Sequence, residues 1–376
     1  MTGVIIGIDP HKGSQTAVAL DRAENKLGQL FFLRLKESRW SGSLGRQLYD
    51  KSPGGVLLSE PLASSAETTS EFLLRVARSL PNLPFLAVRQ EGGTSDPLSL
   101  FLPHLPSPRV GRGKSLRAVM RLGELFGEAL SLLGFNTNFA PLLDLRTPFT
   151  EKTLGARTFG SDPCQVTECG RAFLRGLERH GILACGKHFP GLGSVPVDNS
   201  SGLPLSDKPM AALWREDLLP FRELLARLPL ILISPAGYKA YDFDRPRPAS
   251  LSTSVVTGLL RVKLGFSGLA LAYELESAHG AGDIGDAAIQ AVSAGCDMIV
   301  MDHGGPIEAA RLALIAGLES GKLLPQRVEQ ALERILAAKK RLRAPSGKVS
   351  LPALNGLVRR YEKFAMEYRR EGSNNA

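Results

Sequence analysis

The middle of this chain repeats one alternation, and that alternation restricts the fold more than any other feature. Short, continuously apolar, β-rich runs occupy residues 55–59, 85–89, 138–142, 182–187, 230–234, 268–273 and 298–302. Several give way to segments of helical periodicity, over residues 116–133, 166–179, 211–228 and 286–294. A strand with one solvated face would alternate apolar and polar residues. Continuous apolarity instead implies burial on both faces, as in a parallel sheet. Repeated βα units through most of the 376 residues predict an α/β fold, a (β/α)8 TIM-type barrel rather than a doubly wound sheet. No Gly-x-Gly-x-x-Gly follows the first strand to favour a dinucleotide fold.

Charge adds a second element. The chain carries 46 Lys+Arg against 37 Asp+Glu, a formal +9. Residues 339–376 hold ten of those bases and only three Glu, at 362, 367 and 371, so the tail alone carries +7. Between its bases, Leu354, Leu357, Val358, Tyr361, Phe364, Ala365 and Tyr368 recur at helical spacing. This predicts a C-terminal amphipathic helix, packed by its apolar stripe, with a solvated basic face offered to a protein partner. A membrane-surface or nucleic-acid helix is the weaker reading, and nucleic acid is not the expected partner. Hydrophobic residues make up 43%, which excludes a wholly disordered chain. Four Cys in no paired short spacing argue against a disulfide scaffold, and no metal or cofactor is expected. With neither a secretory leader nor an apolar membrane span evident, a soluble cytoplasmic protein is expected.

The first 28 residues stand apart from the βα pattern. Val4-Ile5-Ile6-Gly7-Ile8-Asp9-Pro10-His11-Lys12, followed by Thr16-Ala17-Val18-Ala19-Leu20-Asp21, reads as a β-hairpin. It resembles the opening of DEDD-type insertion-sequence transposases, which implies a metal-ligand role for Asp9. One carboxylate cannot build a two-metal site, and no companion acids fall in a matching arrangement. An appended segment is the preferred reading. The expected organisation is therefore an extension over 1–28, a barrel over 29–343 and a basic helix over 344–376.

Gly186-Lys187-His188-Phe189-Pro190-Gly191 follows a strand, and Asp198 with Gly202-Leu203-Pro204 closes the next loop. A Lys-His pair ending a barrel strand lies where barrel enzymes place their chemistry. Around it stand Leu27-Gly28-Gln29-Leu30-Phe31, Pro53-Gly54-Gly55-Val56, Gln90-Glu91-Gly92-Gly93 and Asn138-Phe139-Ala140-Pro141-Leu142-Leu143-Asp144. Arg157-Thr158-Phe159-Gly160 with Asp162-Pro163, Arg245-Pro246 with Ala249-Ser250-Leu251-Ser252, and Gly295-Cys296-Asp297-Met298 continue the series. With these motifs in order, the region resembles the N-terminal barrel of glycoside hydrolase family 3. Within that family it is similar to the bacterial β-N-acetylhexosaminidases of peptidoglycan recycling.

The resemblance implies a retaining hydrolase with a carboxylate nucleophile ending a barrel strand. It also implies a His acid/base in an Asp-Ser-His triplet on the loop after Lys-His-Phe-Pro-Gly. The sequence departs from this at both positions. Tyr273 stands where the nucleophile belongs, and Ser200 where the His belongs, although the orienting acid survives as Asp198. Arg89 replaces the family's hydroxyl-binding Asp. Retained are Arg157, Lys187 and His188, which match residues that contact the N-acetyl sugar, and Glu91 beside them. Each has a plain structural alternative: Arg157 paired with Asp144 or Asp162, Glu91 with a neighbouring base, His188 satisfied in the core. Glu274, next to the vacant nucleophile position, needs a bulge or loop twist to enter the site. Tyr273 with Glu274 also resembles the tyrosine nucleophile of sialidases. The expectation is a pseudo-glycosidase that binds an amino sugar or muropeptide. The alternative is an active glycosidase using displaced groups such as Glu274.

Overall fold

A computed structural model describes residues 23–59, 65–108, 115–196, 202–273, 275 and 283–373. The strands are β1 Phe31–Leu35, β2 Gly55–Leu58, β3 Phe85–Val88, β4 Thr137–Asn138, β5 Leu183–Phe189, β6 Leu205–Ser206, β7 Leu230–Ile233, β8 Gly237–Tyr238, β9 Leu269–Tyr273 and β10 Met298–Asp302. Eight of them close into a parallel barrel in the order β1-β2-β3-β4-β5-β7-β9-β10, while β6 and β8 pair outside it. The registers run around the ring from Phe32 opposite Gly55 to Phe31 opposite Ile299, with one irregularity on β5 between Lys187 and Phe189.

The helices are α1 Ala23–Gly28, α2 Gly42–Lys51, α3 Ala66–Ser79, α4 Leu116–Leu133, α5 Pro163–Arg179, α6 Met210–Arg215, α7 Leu219–Leu224 and α8 Lys239–Asp242. A π-helical segment, Ser254–Lys263, follows, then α9 Ile284–Ala294, α10 Ile307–Glu319, α11 Pro325–Lys339 and α12 Leu351–Ser373. Local chemistry sets several ends. The Ser115 hydroxyl accepts from Ala118 N–H at the start of α4. Gly134 ends that helix at φ 100°, where L side chains are strained. Among the described residues no helix is long and apolar enough to cross a membrane.

The continuous apolarity of the strands follows from two cores. Phe32, Leu57, Phe85, Leu183, Leu230 and Leu271 point inward and fill the barrel. Their alternating neighbours, such as Leu33, Val56, Leu86, Ile231 and Ala270, face the helices. Full burial of each large apolar side chain contributes about 1.5–3 kcal/mol, so both faces favour the same register.

Two expected elements differ, and one strand was not expected. The helix predicted over 211–228 is divided into α6 and α7. Buried Asp217 turns the chain there, paired with Lys208 at 2.5 Å, and Pro220 opens α7 without an amide donor. The strand predicted over 138–142 is confined to β4, because Pro141 also lacks that donor. Leu142 keeps only an isolated bridge to Lys187. β1 was not among the predicted strands, since Arg34 breaks its short apolar run. The hairpin read over residues 4–21 lies outside the described residues. The predicted tail helix is α12: Leu357, Tyr361 and Phe364 are buried, and Leu354, Val358, Ala365 and Tyr368 pack partly buried beside them.

α11 closes the N-terminal end of the barrel, with Ile335 packed into the inner core. Lys339 is buried there, its Nζ donating to Gln29 Oε1 at 2.7 Å and lying 5.7 Å from the Phe85 ring centre. Burial pushes the ammonium down from 10.5 to about 7. The unfolded chain keeps that proton to about pH 10.5, so this group makes stability rise with pH between about 7 and 10.5. Lys339→Met is expected to stabilise the fold by about 1–4 kcal/mol near pH 6, with a smaller gain near pH 10. Urea denaturation at the two pH values measures this, and an unchanged midpoint near pH 6 would contradict it.

Candidate functional site

The C-terminal ends of the barrel strands surround a cavity of about 610 Å³. Ligand sites on this fold are built at that end. The strand ends and the loops after them position its polar groups. Glu91, just beyond β3, is 1% exposed and lies beneath the cavity. Arg157 forks onto it, with Nε 2.7 Å from one carboxylate oxygen and Nη2 2.9 Å from the other. Lys187, near the end of β5, donates its Nζ to Glu91 and to the Phe139 carbonyl. Burial alone would raise the Glu91 carboxyl, but Lys187 and Arg157 outweigh it and hold the group at about 2. Burial also pushes the Lys187 ammonium down, to about 8, against the opposing pull of Glu91.

A second buried carboxylate fixes the neighbouring imidazole. Asp144 Oδ2 is 2.7 Å from His188 Nδ1. The same carboxylate accepts from the backbone N–H of His188 and, at 2.7 Å, of Leu192. The imidazole is thereby locked with its other edge toward the cavity, which His188 lines. Asp144 is therefore the partner of His188, not of Arg157, whose carboxylate is Glu91. Lys187 and Arg157 form one ion-paired unit; His188 is held by its own acid.

Tyr273 ends β9 and also lines the cavity. Its hydroxyl accepts from Arg34 Nη1 at 3.0 Å. Arg34, near the end of β1, also pairs with Asp302 at the end of β10, and Lys36 reaches the same carboxylate at 3.3 Å. Arg34 and Asp302 were missed by sequence reasoning. The signal available was a charged residue at the end of a short apolar run. Arg89 lines the mouth of the cavity, exposed, with no ion-pair partner among the described residues.

The structure thus gathers Arg89, Arg157, Lys187, His188 and Tyr273 around one cavity, with Glu91 behind it. Asp198, Ser200 and Glu274 lie outside the described residues. No carboxylate is among the described residues that line the cavity. No group of three or more His, Cys, Asp or Glu able to hold a metal occurs among them either. The wall offers apolar surface from Leu57, Val88, Phe139 and Leu192. With convergent cationic and imidazole donors, it suits a polar, oxygen-rich ligand with apolar faces, as a sugar is.

A pocket at the C-terminal end of a closed eight-stranded parallel barrel is the class that fold and cavity define. Residues 22–338 match the model of the glycosyl hydrolase family 3 N-terminal domain, and the chain belongs to that family. A β-hexosaminidase from Alkalilimnicola ehrlichii is 33% identical over 286 residues, covering 73% of this chain and 80% of that one. β-Hexosaminidase A from Pseudoalteromonas piscicida is 29% identical over 81% of this chain, which spans only 56% of that relative's length. Among solved structures, a family 3 β-N-acetylglucosaminidase from Paenibacillus sp. str. FPU-7 superposes with a TM-score of 0.79 at 26% identity. That match covers 92% of this chain and 69% of the other.

Proposed function

We propose that this protein binds an N-acetylated sugar or muropeptide in the barrel cavity without cleaving its glycosidic bond. The observation that carries the reading is Tyr273 at the end of β9, its hydroxyl engaged by Arg34, in a cavity whose described lining holds no carboxylate. Retaining hydrolysis needs one carboxylate to attack the anomeric carbon and a second group to protonate the departing oxygen. Tyr273 puts a phenol where that carboxylate would stand, and its hydroxyl accepts a hydrogen bond from Arg34. Lys187, Arg157 and His188 are by contrast held in fixed geometry by buried acids. Such preorganisation favours affinity. The relatives' names as β-hexosaminidases support an amino sugar as the ligand.

In this reading the barrel over 29–343 carries the pocket, and 1–28 and 344–376 are additions to it. The ligand is a peptidoglycan fragment met in the cytoplasm. The exposed Arg359 and Lys363 of α12 are the surface left to a protein partner.

The test is paired measurement on the full chain. Calorimetry with N-acetylglucosamine and anhydro-muramic ligands is expected to give saturable heat. 4-Nitrophenyl N-acetyl-β-glucosaminide at high protein concentration is expected to release no nitrophenol above the buffer rate. Release that Glu274→Gln abolishes would instead establish the active-glycosidase reading.

A further inference from the structure

The turn that carries Arg89 and Glu91 is held by another buried acid. Gln90 stands between them, fully buried, and its backbone is fixed to β4. Its N–H donates to Asn138 Oδ1 and its carbonyl accepts from Asn138 Nδ2, both at 2.9 Å. Its side chain is fixed by Asp96, whose Oδ1 accepts from Gln90 Nε2 at 2.7 Å. Asp96 Oδ2 accepts from the Leu105 amide at 3.1 Å and lies 2.9 Å from His104 Nδ1. Beside Asp96, Ser95 closes the turn. Its carbonyl accepts from the N–H groups of Glu91 and Gly92, and its hydroxyl donates to the Arg89 carbonyl at 3.2 Å. On the other side of Asp96, Pro97 lines the cavity. The Asp96 side chain is 3% exposed and that of His104 58%.

A buried carboxylate that serves donors from separate points of a loop ties those points together, and the tie fails when the acceptor is lost. We propose that Asp96 is a positioning residue for the cavity: through Gln90 it fixes where the backbone of Arg89 and Glu91 stands, and its contact with His104 makes that hold depend on pH. This rests on the carbohydrate-binding reading above and adds to it the regulation of the same site. Burial holds the Asp96 carboxyl above its ordinary 3.8, against the opposing pull of Gln90, the Leu105 amide and His104. Glu91 keeps its charge down to about 2, so Asp96 is the first of the two to take a proton as pH falls. The carboxylate is the holding form. Affinity is therefore complete above its titration range and lost as pH falls through it. A protonated His104 favours that carboxylate and extends the hold to lower pH. From α12, Tyr361 also faces Asp96; burial, with Asp96 and Glu128, holds its phenol neutral, well above its ordinary 10.

Two measurements on the full chain test it. Hydrogen exchange at pH 7, read by mass spectrometry, follows the turn with no ligand present. In Asp96→Asn the amides of residues 89–98 are expected to exchange about tenfold faster than in the parent, with those of β7 unchanged. Calorimetry with N-acetylglucosamine follows the site. The parent is expected to lose affinity as pH is lowered from about 6 to about 4. Asp96→Asn is expected to bind about fivefold more weakly at pH 7 and to lose most of that acid fall. In His104→Gln the fall is expected about half a pH unit higher than in the parent. Any share of the profile due to His188 is common to the three proteins. A loss of folded protein lowers the number of sites titrated, not the Kd or its pH course. Unchanged exchange over 89–98 in Asp96→Asn overturns the positioning role whether or not a sugar binds. A loosened turn with parental affinity overturns its link to the site, and a parental pH course in both variants overturns the pH dependence. Each of these leaves the carbohydrate reading standing. No sugar bound at any pH removes that reading and the ligand role of Asp96 with it.

Discussion

Glu91→Gln is expected to weaken sugar binding at least tenfold and to destabilise the fold by about 3–5 kcal/mol, the usual range for orphaning a buried ion pair. The substitution keeps size and removes the charge that Arg157 and Lys187 share. Both cations line the cavity, so their loss of orientation reaches the ligand directly. The effect also has a pH signature. The folded-state carboxyl is held at about 2, below its ordinary 4.5. Its contribution is therefore complete above about pH 4.5 and lost as pH falls toward 2. Two and a half pKa units correspond to stability on the order of 3 kcal/mol. Urea denaturation as a function of pH should show this acid limb in the parent and its absence in the variant. An unaltered limb in Glu91→Gln would mean that the carboxylate is not the group titrating there.

Asp297→Ala is expected to cost a similar amount of stability, about 3–5 kcal/mol, without touching the cavity. Asp297 is fully buried just before β10. Its Oδ1 accepts from Arg327 at 2.8 Å and Arg334 at 3.0 Å, both on α11. Its Oδ2 accepts from Arg261 of the π-helical segment at 2.5 Å and from the Ala270 amide of β9 at 3.0 Å. One carboxylate thus joins two helices and a central strand. Its removal leaves Arg261 and Arg327, each mostly buried, facing each other uncompensated. At about 2–4 °C per kcal/mol for a domain of this size, the melting temperature should fall by roughly 10 °C. Arg334→Ala, at a more exposed position, should cost clearly less. Equal losses in the two variants would show that Asp297 matters through its packing rather than its charge.

The barrel was legible in the sequence wherever a strand is buried on both faces, because burial imposes unbroken apolarity. β7 and β9 were predicted within a residue or so of where they lie. β1 was missed for the converse reason. Arg34 occupies the same inward-facing parity as Phe32, and a site residue at the end of a strand spoils the apolar signal. Lys187, His188, Arg157 and Glu91 were legible as chemistry-bearing residues, but their pairing was not. Arg157 and Glu91 are 66 positions apart, and Arg34 and Tyr273 are 239 apart. No periodicity reports contacts made only when a barrel closes. Asp144 illustrates the same limit: the sequence allowed it to serve Arg157, and closure delivered it to His188.

The packing of α12 bears on how the molecule can be divided. Its Tyr361 hydroxyl donates to the Leu125 carbonyl of α4 at 3.2 Å, and Arg360 pairs with Glu128 on the same helix. Leu357 and Phe364 lie buried on either side of that contact. The family-matched region ends at residue 338, before this helix begins. A gene trimmed to that region would yield a barrel whose α4 carries an uncovered apolar strip, a surface prone to self-association. The smallest well-behaved unit of this protein is therefore longer than the unit its family defines.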